Sequence, residues 1–203
     1  GASFDLADPV ITGVTNGATY YTTQKATITD ASLDTVTLNG VAATLDENGA
    51  LSLAGNVEME YTLVATDQLG HSATVTVTMK TIDSLAEALG DITKENATSA
   101  DRERVQVYLD DLTGRLEDDK LTDEESALLQ GLATEAQQIL DRLDEAEQAG
   151  STHAIEQAQD ITASNVTQQD KGTLEEAKAE IAQALAAFGG NYTDAERAAL
   201  EQM

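Results

Sequence analysis

Two histidines, His71 and His153, are the only side chains of this 203-residue chain whose ordinary charge change falls near neutral pH, and cysteine is absent. Without Cys there is no thiolate nucleophile, no thiolate metal ligand and no disulfide framework. A general base needs a nucleophile or substrate held beside it in a pocket. His71 follows Gly70 in a turn pattern, and His153 lies in the other, differently patterned half of the chain. No residue is assigned a catalytic role, and the chain is expected to be neither an enzyme nor a cofactor carrier.

Carboxylates raise the possibility of calcium. Glu117, Asp118, Asp119, Asp123, Glu124 and Glu125 place six of them within nine residues. The spacing lacks the D-x-[DN]-x-[DN]-G core of a calcium loop, so it reads as a polar interhelical loop followed by a first helical turn that favours acids. Asp46-Glu47-Asn48-Gly49 likewise reads as a turn, and no metal ligand is assigned. Asn96, Asn165 and Asn191 each open an Asn-x-Thr triplet, but every Thr involved also fits a helix cap. A covalent Lys–Asn cross-link would need a buried Lys beside Asn and an acid, whereas Lys25 starts a strand and Asn56 sits in a turn pattern.

Sugar recognition usually needs exposed aromatic rings, and aromatics are 3% of this chain. Tyr20-Tyr21 is the one adjacent pair. Strand alternation would turn one ring outward and the other toward the core, making Tyr20 and Tyr21 the candidate binding residues for glycan or protein.

These residues are carried by two compositionally distinct halves. The net charge of −26 repels phosphate backbones and anionic lipid, so neither nucleic acid nor a membrane surface is an expected partner. No apolar run is long enough for a membrane helix. Residues 1–82 hold nine acids and two bases, and residues 83–203 hold 28 and nine. The chain opens Gly1-Ala2-Ser3 without Met and is read as a segment of a longer protein.

Residues 9–82 predict about seven short strands in an antiparallel β-sandwich, with turn signals every 8–12 residues or so. Asn39-Gly40 supplies a tight hairpin. Val57, Met59, Tyr61, Leu63 and Ala65 alternate with polar residues, as do Ala73, Val75, Val77 and Met79. Residues 83–203 predict an all-α helical bundle. Apolar stripes run through Val105, Tyr108 or Leu109, Leu112 and Leu116, through Leu129, Ala136, Ile139 and Leu143, and through Leu174, Ala177, Ile181 and Leu185. Helix starts are expected at Ser84/Glu87, Thr98/Asp101, Thr122/Glu125, Thr167/Asp170 and Thr193/Glu196, and left-handed glycine stops at Gly114, Gly150 and Gly189-Gly190.

The helical half repeats. Asp91-Ile92-Thr93, Asn96, Thr98 and Asp101 recur 69 residues later as Asp160-Ile161-Thr162, Asn165, Thr167 and Asp170. Thr122-Asp123 with Glu125 recurs 71 residues later as Thr193-Asp194 with Glu196. Copy one spans about 83–150 and copy two, truncated at Met203, about 151–203, the arrangement of stacked helical units.

Asp8-Pro9-Val10-Ile11-Thr12-Gly13-Val14, Gly17-Ala18-Thr19-Tyr20-Tyr21 and Ala65-Thr66-Asp67-Gln68-Leu69-Gly70-His71 resemble the bacterial immunoglobulin-like domains of Gram-positive, Clostridia-type surface proteins. The remainder resembles the FIVAR-like helical repeats that accompany them. The resemblance implies an Ig-like sandwich at 1–82 and a helical bundle at 83–203, in a non-catalytic spacer or adhesion segment of a secreted or wall-attached protein. It brings no catalytic residues. Alternatives are a module binding host protein or glycan, or an accessory region of a larger carbohydrate-active enzyme, and the expected partners are host protein, glycan or neighbouring domains of the same protein. The charge favours a monomer, since like-charged surfaces repel within about 10 Å at 0.1 M salt.

Overall fold

The computed structural model describes residues 7–202. The opening Gly1-Ala2-Ser3 and the terminal Met203, on which the readings of a longer chain and a truncated copy rest, lie outside them. The protein combines two β-sheets with helices, and among the described residues eight strands precede the helices in sequence. Strands β1 (Val10–Thr12), β3 (Gln24–Thr29) and β6 (Ala50–Leu53) form an antiparallel sheet in the order β1-β3-β6. Strands β2 (Thr19–Tyr20), β4 (Leu33–Leu38), β5 (Val41–Ala42), β7 (Met59–Asp67) and β8 (Ser72–Met79) form the other, in the order β2-β8-β7-β4-β5.

This second sheet is mixed, which corrects the wholly antiparallel expectation. β2 pairs parallel to β8, with Thr19 opposite Thr78. Thr78 and Lys80 donate their N–H groups to the carbonyls of Ala18 and Tyr20, stitching a two-residue strand to the sheet edge. No alternation pattern can announce a strand that short.

Both sheets feed one core. Ala26 and Ile28 of β3 and Leu53 of β6 are buried in the same cluster as Val36, Tyr61, Leu63, Ala65, Val77 and Met79 from the other sheet. The alternation in β7 is as read from Tyr61 onward, but Met59 at the strand start is exposed and Asp67 takes the last inward position. Asn39 and Gly40 have φ of 52° and 80°, the two positive values that a two-residue hairpin between β4 and β5 demands. Close approach of backbone excludes a side chain at Gly13, itself at φ 90°, and at Gly55. A Cβ at Gly13 would lie 2.2 Å from the Lys25 carbonyl oxygen, and one at Gly55 would lie 2.1 Å from the carbonyl carbon of Thr22.

A 3₁₀ segment, Ile82–Leu89, follows β8. Ser84 lies inside this segment, not at its start, and its hydroxyl donates back to the Thr81 carbonyl. Then come α1 (Arg102–Leu116), α2 (Asp123–Ala149), α3 (His153–Gln159), α4 (Gln168–Phe188) and α5 (Asp194–Glu201). Stripe residues Val105, Tyr108 and Leu112 of α1, Leu129, Ala136, Ile139 and Leu143 of α2, and Ala177 and Ile181 of α4 are buried.

The glycine stops differ from expectation. Gly114 lies inside α1, and neither Gly150 nor Gly189 is among the positive-φ residues. α2 closes with a Gly150 N–H bond to Ala146 O, and α4 runs into a 3₁₀ turn, Gly189–Asn191. Ends built from ordinary helical geometry leave glycine no left-handed role.

By contacts the chain divides into two compact units, Gly1–Glu87 with Arg115–Gln130, and Ala88–Gly114 with Gly131–Met203. The composition break at Ile82 therefore does not mark the whole boundary. The tip joining α1 to α2 belongs with the strands, held by bonds from residues 23 and 24.

Candidate functional site

Four of the expected caps form as bidirectional or single bonds between a Thr and the acid three residues on. Glu125 N–H donates to Thr122 Oγ1 while Glu125 Oε1 accepts the Thr122 N–H at 3.1 Å. Glu196 and Thr193 do the same. Thr167 and Asp170 match them, and Thr98 N–H donates to Asp101 Oδ2 at 2.9 Å. Thr152 adds a cap that the sequence reading missed, accepting from Ile155 N–H. Its third residue on is an isoleucine, so the acid signal was absent.

The turns ahead of α1 and α4 are also alike. Thr93 N–H donates to Asn96 Oδ1 at 2.6 Å and Asn96 Nδ2 to Asp91 O at 2.8 Å. Sixty-nine residues on, Thr162 N–H donates to Asn165 Oδ1 at 2.7 Å and Asn165 Nδ2 to Asp160 O at 3.3 Å.

Two capping glutamates reach further. In the first unit, Glu125 is 3% exposed, and its second oxygen accepts the backbone N–H of Thr23 at 2.6 Å and the Thr23 hydroxyl at 3.2 Å. Lys120, from the same loop, donates to Gln24 Oε1 at 3.3 Å. In the second unit, Glu196 Oε1 accepts the Ser99 hydroxyl at 3.2 Å. Asn191, 2% exposed, donates through Nδ2 to the carbonyls of Lys94 at 2.9 Å and Ala97 at 2.7 Å. Its Oδ1 accepts from Arg142 Nε. Each tip thus fastens to a segment about a hundred residues earlier by a capping carboxylate and one further side chain. A carboxylate shared between two sets of donors leaves few lone pairs unmet, which is why Glu125 can be buried.

The histidines offer less. His71 Nδ1 lies 3.1 Å from Asp67 Oδ2, and Asp67 is 1% exposed. Asp67 Oδ1 accepts the N–H groups of Leu69 and His71. Asp46 does the same for Asn48 and Ala50, so both are Asp-x-x-Gly turns with a capping carboxylate. Those two backbone bonds hold the Asp46 carboxyl below its ordinary range. The His71–Asp67 pair is therefore first a product of turn closure. His153 is exposed on α3.

Tyr20 and Tyr21 are both half-buried. The Tyr20 hydroxyl accepts from Thr15 N–H at 2.9 Å, and Tyr21, just beyond β2, carries the Arg115 guanidinium 5.0 Å from its ring centre. The amine of Lys25 sits 3.5 Å from Asp46, and Asn56 Oδ1 accepts from Ile82 N–H. Among the described residues no three His, Asp or Glu side chains converge as a metal site would require. Beside the Glu196 contact, Ser99, Arg102, Leu143, Glu147 and Tyr192 line a cleft of about 180 Å³, below the roughly 300–1,000 Å³ of small-molecule sites.

No family model, curated protein or solved structure matches the chain. Among the described residues no helix is long and apolar enough to cross a membrane.

Proposed function

We propose that the chain is a non-catalytic structural spacer or adhesion segment of a secreted or cell-wall-attached bacterial surface protein. On this reading residues 1–82 form an Ig-like sandwich of the kind found in Gram-positive surface proteins, and residues 83–203 form FIVAR-like helical repeats. The supporting observation is the fastening of each helix tip to an earlier segment, Glu125 to Thr23 and Glu196 to Ser99. A spacer has to transmit load without opening, and polar bonds linking distant parts of a chain resist that opening. The many exposed acids keep such a segment from self-associating.

Pulling single molecules from their two ends tests the mechanical part. Glu125→Ala should release the α1–α2 tip at lower force than the wild type, and an unchanged unfolding force contradicts the reading. An antibody raised against the chain tests location. It should label intact cells of the producing bacterium, and a signal confined to lysed cells contradicts the surface assignment.

A further inference from the structure

The turn Asp91–Asp101 is a receiving surface within the second unit. Asn191 donates to the carbonyls of Lys94 and Ala97, Glu196 accepts from Ser99, and Gly190 passes so close that a Cβ there would lie 2.6 Å from Glu95 O. Ala97 is fully buried.

The turn Asp160–Asp170 repeats three of the internal hydrogen bonds of Asp91–Asp101 at an offset of 69, those of Thr162 N–H, Asn165 Nδ2 and Thr167 N–H, while the Ala97 N–H bond to Thr93 O gives way to an Asn165 N–H bond to Thr162 O. Residues 93–96 and 99–100 are as exposed as their counterparts, and the difference lies at two positions: Val166, in the place of the buried Ala97, is 42% exposed, and Thr167 is exposed where Thr98 is half-buried. We propose that Asp160–Asp170 is a docking face for a further helical segment in tandem, one presenting a Gly-Asn-Tyr-Thr-Asp-x-Glu tip like Gly190–Glu196. This rests on the tandem-repeat reading above.

The substitutions between the two turns keep the chemistry. Two of the bonds to be made are to backbone carbonyls, those of Ala163 and Val166, which no side-chain change removes. Gln168 replaces Ser99 and still offers an N–H to a capping carboxylate. Ser164 replaces Glu95, and its carbonyl again needs glycine opposite. Val166 in place of Ala97 adds apolar area to be covered.

The experiment extends the full chain by a second copy of residues 133–203 fused after Met203, keeping the 71-residue offset, and follows amide hydrogen exchange. Exchange at residues 162–168 should slow roughly tenfold or more relative to the unextended chain. Replacing the Asn and capping Glu of the added tip, N191A and E196A made in the appended copy alone, should abolish the slowing while the added helices stay protected. An added copy that folds without changing exchange at 162–168 overturns the docking face. Slowing that rises with protein concentration overturns the in-chain occupant, since it would come from another molecule. An added copy that stays unfolded overturns the tandem-repeat reading, and the proposal with it.

Discussion

The backbone N–H of Thr23 donates to Glu125 Oε2 at 2.6 Å, although 102 residues separate the two in sequence. The other oxygen of the same carboxylate closes the α2 cap on Thr122. Local helix initiation and long-range attachment therefore depend on one side chain.

Removing it should affect both. Glu125→Ala is expected to cost about 2–3 kcal/mol, because it leaves the N–H groups of Thr23 and Thr122 without their charged acceptor. Glu196→Ala, at a half-buried residue whose outside contact is a single 3.2 Å hydroxyl bond, should cost about 1 kcal/mol. Urea denaturation of the two variants checks the difference, and equal losses would contradict it.

Glycine substitutions should divide by surroundings. Gly190→Ala should destabilise by about 1–3 kcal/mol, since its methyl would press on Glu95 O. Gly114 and Gly131 lie inside α1 and α2 with open space at the Cβ position, so alanine there should stabilise by about 0.5–1 kcal/mol. Thermal melts of the three variants test the opposite signs.

Alkali should loosen the second unit. Burial raises the Tyr192 pKa above 10, with the Glu196 carboxylate adding to the effect, and burial likewise raises that of Tyr108. A group whose folded pKa is raised contributes stability that is complete below its unfolded pKa and lost as pH climbs through the folded value. Stability measured by denaturant should therefore be flat up to about pH 10 and fall above it. Tyr192→Phe should lose the hydrogen bond to Ala146 O and show a shallower alkaline fall. An unaltered slope would contradict the assignment.

At the 67–71 turn the carboxylate should matter more than the ring. Asp67→Ala removes a buried acceptor of two backbone N–H groups and should cost about 2–3 kcal/mol. His71→Ala removes a part-exposed ring and should cost under about 1 kcal/mol. A larger loss for His71 would contradict the turn-closure account.

What the sequence revealed was local. Asn39-Gly40, Asp46 to Gly49 and the Thr-to-acid caps were legible because spacing of two to four residues determines those bonds directly. The pairing of β2 with β8 was not, because two residues carry no period. Glu125 was recognised as a capping acid, but its second oxygen serves Thr23, and nothing in the spacing around either residue points to the other. Gly190 looked like a helix stop because glycine often is one; its actual role depends on the approach of Glu95 O, a contact made only after folding. Tyr20 and Tyr21 were read from alternation, which ends at Tyr20, and their hydroxyl and ring contacts with Thr15 and Arg115 lie outside any strand pattern.

The central claim is that capping carboxylates lock helix tips to earlier segments. Amide exchange at Thr23 in the full chain tests it most directly. The Thr23 amide should be protected to the same degree as the first-turn amides of α2 and should lose that protection in Glu125→Ala while β7 and β8 keep theirs. A Thr23 amide that exchanges at the unprotected rate in the wild type, with α2 intact, would contradict the account.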